Sequence, residues 1–320
     1  MRKIILGKTN AKVSAISLGT WAFGGENMSG SIPVGWSGQT DKNSRSVLMK
    51  AYESGINHWD TADVYGDGRS EKIIGEMWKA VPRSDIFLAT KVGWDKGPHK
   101  NWYEKSHMIK NMNRSLKNLN SDYVDAIYLH HCNFGKEGEY FDEAFDAIKR
   151  FQSDGKTRFI GLSDWSSTKI MQYIKKCDPD MIQPYRNVMD DDYKASGLKK
   201  YVDENNLGVC FFSPLKHGLL TGKYNSPPVF ESGDHRSKIR EFLDSKVLET
   251  MRKNKRLLEK RFSQCLSPVA FGVVNALFND SPTGCVLLGQ RNINQVLIAA
   301  SLGDLISDED SVWVKSLYKK

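Results

Sequence analysis

Short apolar runs alternate with amphipathic stretches along nearly the whole chain. Eight of the runs read as buried strands: 15–18, 56–60, 86–91, 124–130, 158–162, 180–183, 208–213 and 285–289. Between them the apolar period changes. Phe141, Ala144, Phe145 and Ile148 recur at spacings of three and four, as do Met108, Met112, Ser115, Leu116 and Leu119, which predicts helices. Gly155 stands where the first of these helices needs its cap. A strand–helix alternation forces crossover connections and hence parallel strands. The pattern predicts an α/β fold, a (β/α)8 TIM barrel forming one domain over residues 1–320. Residues 1–14 read as an N-terminal β-hairpin capping one end, and 24–41, 93–105 and 217–245 as long loops on the C-terminal face. A doubly wound sheet is the competitor, but the Gly-rich turn it needs after its first strand is missing.

Length and charge sharpen this picture. The 320 residues suit one barrel of about 250 residues with insertions. Lys and Arg exceed Asp and Glu by 46 to 38, a net charge of +8 spread along the chain. The densest basic run, 252–261, reads as the wet face of a helix, so the charge points to an anionic cofactor and not to nucleic acid. No apolar run is long enough for a membrane span, and the N-terminus is too interrupted by charge for a signal peptide. Five scattered cysteines without a C-x-x-C pair read as reduced thiols in a cytoplasmic protein. Neither nucleic acid nor a membrane is an expected partner; the oligomeric state is open.

Three local patterns invite other chemistries. The stretch 218–224 resembles a phosphate loop but is one residue short, and Gly155-Lys156-Thr157 lacks the Gly needed at position 150. His130-His131-Cys132 suggests a metal site. Neighbours on a strand face opposite sides, however, and no carboxylate or second His cluster follows nearby, so no metal is expected.

The chemistry that remains lies at strand ends. Asp60, Lys91 and His130 close three consecutive strands, and Tyr65 stands five residues beyond Asp60. Each alone fits an ordinary ion pair or cap. Together they suit proton transfer: a nearby Lys lowers a Tyr pKa from about 10, an Asp holds that Lys charged, and a neutral His donates to a carbonyl oxygen.

With these residues in place, the chain resembles the aldo-keto reductase superfamily over nearly its whole length, and its potassium-channel-β-like branch most closely. The resemblance rests on Leu18-Gly-Thr-Trp-Ala-Phe-Gly24, Trp59-Asp60-Thr-Ala-Asp-Val-Tyr65-Gly, Gly68-Arg-Ser-Glu71, Ala89-Thr-Lys91-Val-Gly, Val124-Asp with His130, Gly161-Leu-Ser163-Asp164-Trp, Phe212-Ser213-Pro-Leu-Lys-His-Gly218-Leu-Leu-Thr-Gly222-Lys223, and Leu288-Gly289-Gln-Arg291 with Gln295. It implies a catalytic tetrad: Tyr65 as general acid, Lys91 and Asp60 tuning it, His130 orienting the carbonyl. It further implies NADPH/NADP+ as cofactor, lying across the barrel mouth. Gly19, Thr20 and Trp21 belong to its first motif; Ser163, Asp164 and Gln183 are expected at the carboxamide. Ser213, Pro214, Leu215 and Gly218 are expected along the pyrophosphate, with Phe212 and Lys223 also among the cofactor-binding residues, and Gly289, Gln290, Arg291 and Gln295 near the adenosine 2′-phosphate. Arg291 is the expected phosphate partner, because its fork matches phosphate geometry.

Three positions depart from the family pattern. Asp164 replaces the usual Asn, Arg186 stands where an aromatic ring usually stacks, and the Glu and Asn that usually meet the adenine are missing after Gln295. Asp164 is expected to offset the charge of an Arg186 stacked on the nicotinamide and biasing the choice of redox state, with Tyr185 as the other source of a ring. Trp21, Trp36, Trp94 and Trp102 are candidate pocket walls, with His131, His217 and His235 as polar candidates. Lys96, His99 and Lys100 suit an anionic or polyhydroxylated substrate. The function implied is an NADPH-dependent carbonyl reductase whose partner is a small-molecule carbonyl compound, an aldehyde, ketone or sugar. The alternatives are a cofactor-binding regulatory subunit with little turnover and a lyase or isomerase using Lys91 as a Schiff-base nucleophile.

Overall fold

A computed structural model describes residues 1–29, 31–94 and 97–319. The chain opens with an antiparallel hairpin, β1 (Lys3–Ile5) against β2 (Lys12–Ser14). β3 (Ile16–Gly19) follows, and the excursion after it carries a small hairpin of β4 (Met28–Ser29) and β5 (Ile32–Pro33) before α1 (Asp41–Glu53). Four regular units come next: β6 (His58–Asp60) with α2 (Arg69–Gly75), β7 (Phe87–Val92) with α3 (Lys105–Asn118), β8 (Val124–Leu129) with α4 (Phe141–Ser153), and β9 (Thr157–Asp164) with α5 (Ser167–Cys177). β10 (Met181–Pro184) leads to α6 (Asp192–Ala195) and α7 (Leu198–Asn205), and β11 (Gly208–Phe211) to α8 (Ser245–Arg261) and α9 (Pro268–Phe278). β12 (Cys285–Gly289) is followed by α10 (Ile293–Ala300) and α11 (Asp308–Tyr318).

The eight long-range strands are parallel and close in the order β10-β11-β12-β3-β6-β7-β8-β9. This is the (β/α)8 barrel the alternation predicts. The first hairpin sits at the N-terminal ends of the strands, where the Lys8 amide donates to the Asn206 carbonyl just before β11.

Helix faces follow their apolar spacing. In α4, Phe141, Ala144, Ala147, Ile148 and Phe151 are buried, the two Phe and Ile148 each contributing about 1.5–3 kcal/mol by leaving water. Apart from the buried Asn275, α9 is apolar on all sides, as a helix packed between α8, α11 and the barrel must be. Gly155 is the residue just after the α4 cap, in the left-handed conformation (φ +72°) that favours glycine. Element ends move by a residue or two from the pattern. β11 stops at Phe211 because Ser213 turns to φ +58°, which no strand accommodates. β6 begins at His58 because Ile56 completes the preceding turn, its amide bonding to Ala51. Among the described residues no helix is long and apolar enough to cross a membrane.

Candidate active site

The C-terminal ends of the strands enclose a cavity of about 380 Å³, the place where parallel barrels present side chains from several strands at once. Register brings the ends together: Gly19 of β3 lies opposite Asp60 of β6 and Gly289 of β12. Alternation then points Asp60 and Lys91 inward. The Lys91 ammonium donates to Asp60 Oδ1 at 2.5 Å, to the Thr61 carbonyl at 2.7 Å and to the Tyr65 hydroxyl at 3.5 Å. Gln183 on β10 donates to the other Asp60 oxygen at 2.8 Å. The His130 amide extends the β7–β8 ladder to the Val92 carbonyl, and its ring meets the Tyr65 ring edge-on at 5.9 Å.

Tyr65 is delivered by a turn that only glycine permits. Gly66 has φ +62°, and a Cβ there would lie 2.2 Å from the Gly24 carbonyl oxygen. The two loops are thus packed backbone to backbone.

Burial sets the charge states. It raises the Tyr65 pKa above 10, while Lys91 pulls in the opposite direction and loses. The sequence expectation of a net lowering is therefore reversed, because removing a phenolate from water outweighs the neighbouring ammonium. Burial also opposes the charge on Lys91, but Asp60 and Tyr65 more than offset it and its pKa is raised. His130 is pushed well below 6.5 by burial, by His131 and by Lys91, so its imidazole is neutral. Burial likewise brings His131 to about 4, His217 to about 3 and His235 to about 4.

The mouth is bridged by two loops that meet above it. Gly35 pairs with Asp234, the His235 amide donates to the Gly35 carbonyl at 2.8 Å, and Ser37 donates through its amide and hydroxyl to Asp234. Arg236 grips the same carboxylate with Nε and Nη2 and lies over Trp36 at 4.7 Å. Arg291 approaches that indole at 5.9 Å and donates to the Ser37 carbonyl. Burial and the charge of Arg236 lower the Arg291 pKa, and its Nε has no hydrogen-bond partner among the described residues.

The Aldo/keto reductase family pattern matches residues 15–296. The chain belongs to that family. It is 28% identical over 305 residues to the L-glyceraldehyde 3-phosphate reductase of Escherichia coli K12, covering 91% of this chain and 84% of the relative. It is 30% identical over 230 residues to a probable voltage-gated potassium channel subunit beta of Arabidopsis thaliana, covering 69% of this chain and 66% of the relative. A glycerol dehydrogenase from Gluconobacter oxydans superposes with a TM-score of 0.79 at 27% identity, over 98% of this chain and 94% of the other. This aldo/keto reductase therefore stands among oxidoreductases and potassium-channel-β-like proteins.

All but two of the catalytic and cofactor-binding residues expected from sequence line the cavity: Asp60, Tyr65, Lys91 and His130; Gly19, Thr20 and Trp21; Ser163 and Gln183; Phe212, Ser213, Pro214, Leu215, Gly218 and Lys223; and Gly289, Gln290, Arg291 and Gln295. Asp164 and Arg186 do not. Asp164 accepts from the backbone amides of Cys132 and Ser166, both at 2.8 Å, one on each carboxylate oxygen, whereas an Asn would turn an NH2 donor towards one of them. Arg186 points away and pairs with Asp280 at 2.7 Å. The expected Arg186–Asp164 compensation does not form. Tyr185 packs behind the wall, against Trp165 and Phe212.

Trp21, Trp36 and Trp94 line the cavity with Trp165, whereas Trp102 packs outside it against Tyr103. His131 and His217 are on the wall, and His235 stands behind, 4.9 Å from the Trp21 ring. His99 and Lys100 meet Glu104 on a separate outer patch, and Lys96 lies outside the described residues. His130, His131 and Cys132 do not converge as ligands; the two imidazoles stack at 4.9 Å. Arg236 and the apolar Ala270, Leu287 and Ile298 were not anticipated. The only signal for Arg236 was its place in the long irregular stretch 217–245, where a cation pairs with Asp234 two residues away.

Proposed function

We propose that this chain is an NADPH-dependent carbonyl reductase in which Tyr65 is the general acid. The observation that carries the reading is the Lys91 ammonium bridging Asp60 and the Tyr65 hydroxyl on the cavity wall. A bound nicotinamide supplies hydride to the carbonyl carbon of an aldehyde, ketone or sugar. Tyr65, protonated at neutral pH, gives its proton to the carbonyl oxygen, and Lys91 stabilises the phenolate left behind. Asp60, fixed by Gln183, keeps Lys91 in place. Neutral His130 orients and polarises the same oxygen without adding a cation that would compete with Lys91.

The cavity also fits the cofactor's anionic end. The half-buried Arg291 guanidinium has an Nε without a hydrogen-bond partner among the described residues, and the carboxylate that acts on its charge, Asp234, already accepts from Ser37 and Arg236. A phosphate beside Arg291 and Arg236 supplies the missing charge, which favours NADPH over NADH. Open space at Gly218 and Gly289, where a Cβ would meet nothing within 4 Å, leaves room along the expected pyrophosphate path.

Tryptophan fluorescence titration tests this reading, because Trp21, Trp36, Trp94 and Trp165 all face the cavity. Quenching at lower NADPH than NADH concentrations, with carbonyl-dependent NADPH oxidation, is the expected result. Equal affinity removes the 2′-phosphate argument. Failure of both cofactors to bind overturns the proposal.

A further inference from the structure

One layer below the cavity floor, the barrel interior departs from the branched aliphatic filling usual for this fold. Ser17, His58, Cys210 and Cys285 each lie two residues before a cavity-lining residue, namely Gly19, Asp60, Phe212 and Leu287, and so face inward one step deeper. All four are fully buried. Cys210 and Cys285 are direct partners on β11 and β12. Cys285 Sγ lies 3.4 Å from His58 Nδ1, which also meets Ser17 Oγ at 2.6 Å, and Cys210 Sγ is 3.8 Å from that hydroxyl. The imidazole nitrogen and the two sulfurs all lie within 4.8 Å of one another. His58 Nε2 has no hydrogen-bond partner among the described residues, and the ring rests edge-on against Phe87. The imidazole's side-chain polar contacts are thus all on the Nδ1 side, towards the thiols.

We propose that His58, Cys210 and Cys285 form a buried site for a thiophilic divalent ion, zinc, with the Ser17 hydroxyl as fourth donor. Three arguments support it. The donor set is soft: two thiols and an imidazole select zinc-like ions over magnesium or calcium, which want oxygen. The size is right, since zinc–sulfur bonds of about 2.3 Å and zinc–nitrogen bonds of about 2.0 Å put donors on the order of 3.5–4 Å apart, reached here by small side-chain rotations. Charge also balances, because binding displaces one proton from each thiol and two thiolates neutralise one divalent ion, leaving no net charge in the core. With every donor buried and none on the cavity surface, the site is closed and its role structural. It staples β6, β11 and β12 beneath the cavity, independently of the reaction above.

The test is metal content and spectrum, not activity. Protein is produced in cobalt-supplemented medium and purified under reducing conditions without chelator. The expected result is one cobalt per chain, with sulfur-to-cobalt charge transfer in the near ultraviolet and intense tetrahedral bands in the red. Cys210→Ala and Cys285→Ala each lose the charge-transfer intensity, and Cys265→Ala, outside the cluster, retains it. A folded wild-type chain with neither bound metal nor charge transfer overturns the proposal, whatever the variants do. So does intensity surviving in the Cys210→Ala/Cys285→Ala double variant.

Discussion

The guanidinium of Arg186 donates to the Asp280 carboxylate at 2.7 Å, and both side chains are buried. Lys194 and Lys315 reach the other Asp280 oxygen at 2.8 and 3.0 Å. Burial alone would raise the Asp280 pKa, but Arg186 and the two lysines outweigh it and hold the carboxyl down to about 2, from 3.8. Asp280→Asn leaves the buried Arg186 with only the exposed Asp191 carboxylate, 3.6 Å away, and is expected to cost about 3 kcal/mol. A folded-state pKa below the unfolded one gives stability that is present above about pH 4 and lost as pH falls towards 2. Urea unfolding of wild type across that window should show the loss, and Asp280→Asn should flatten it.

The same pair predicts what Arg186 does not do. Turned away from the cavity, it has no direct hold on the cofactor's redox state. Arg186→Leu should lower the unfolding midpoint while leaving the ratio of NADP+ to NADPH affinities unchanged. Equilibrium titration of both forms checks this.

Arg291 is assigned the opposite behaviour. A lost charge-assisted hydrogen bond costs about 1.5–3 kcal/mol, so Arg291→Ala should weaken NADPH binding about 10- to 100-fold. NADH affinity should barely change. Parallel titrations with both cofactors separate a phosphate contact from a general loosening of the loop.

Asp234 ties the two loops over the mouth, accepting from Ser37 and Arg236. Asp234→Ala should free both. Losing on the order of 1.4 kcal/mol of closure predicts about tenfold faster cofactor release, measured by stopped-flow displacement.

The pH dependence follows from burial. With Tyr65 as the proposed proton donor, the reduction rate should hold through neutrality and fall only above the phenol's raised pKa. No inflection should appear near 6.5, because His130 titrates well below it. Lys91 lowers the Tyr65 pKa within that balance, so Lys91→Met should move the alkaline limb upwards and cut turnover by about 10²–10⁴-fold. A pH series in both reaction directions checks the sign, since alcohol oxidation needs the phenolate and its onset should move upwards too.

The barrel was legible because its period is written locally: each strand and helix declares itself within a dozen residues, and alternation fixes the topology. Asp60, Lys91 and His130 were legible for the same reason, since strand ends on one rim must converge. Arg186 misled because strand alternation stops at Pro184, and whether it faced Asp164 or Asp280 depends on a turn that its own residues do not specify. The Tyr65 pKa was misjudged in sign because burial is a property of the whole fold, whereas the neighbouring Lys is visible in the motif. His58, Cys210 and Cys285 escaped notice for a further reason. They stand on three strands far apart in sequence, and only closure of β11 and β12 against β3 and β6 brings them within reach.

The most direct measurement is single-turnover reduction by Tyr65→Phe with saturating NADPH, alongside its cofactor affinity. The phenyl ring keeps the packing against Trp21 and removes only the hydroxyl near Lys91. Loss of about 10²–10⁴-fold in rate with unchanged NADPH affinity is predicted. A rate close to wild type would contradict Tyr65 as the proton donor and with it the mechanism.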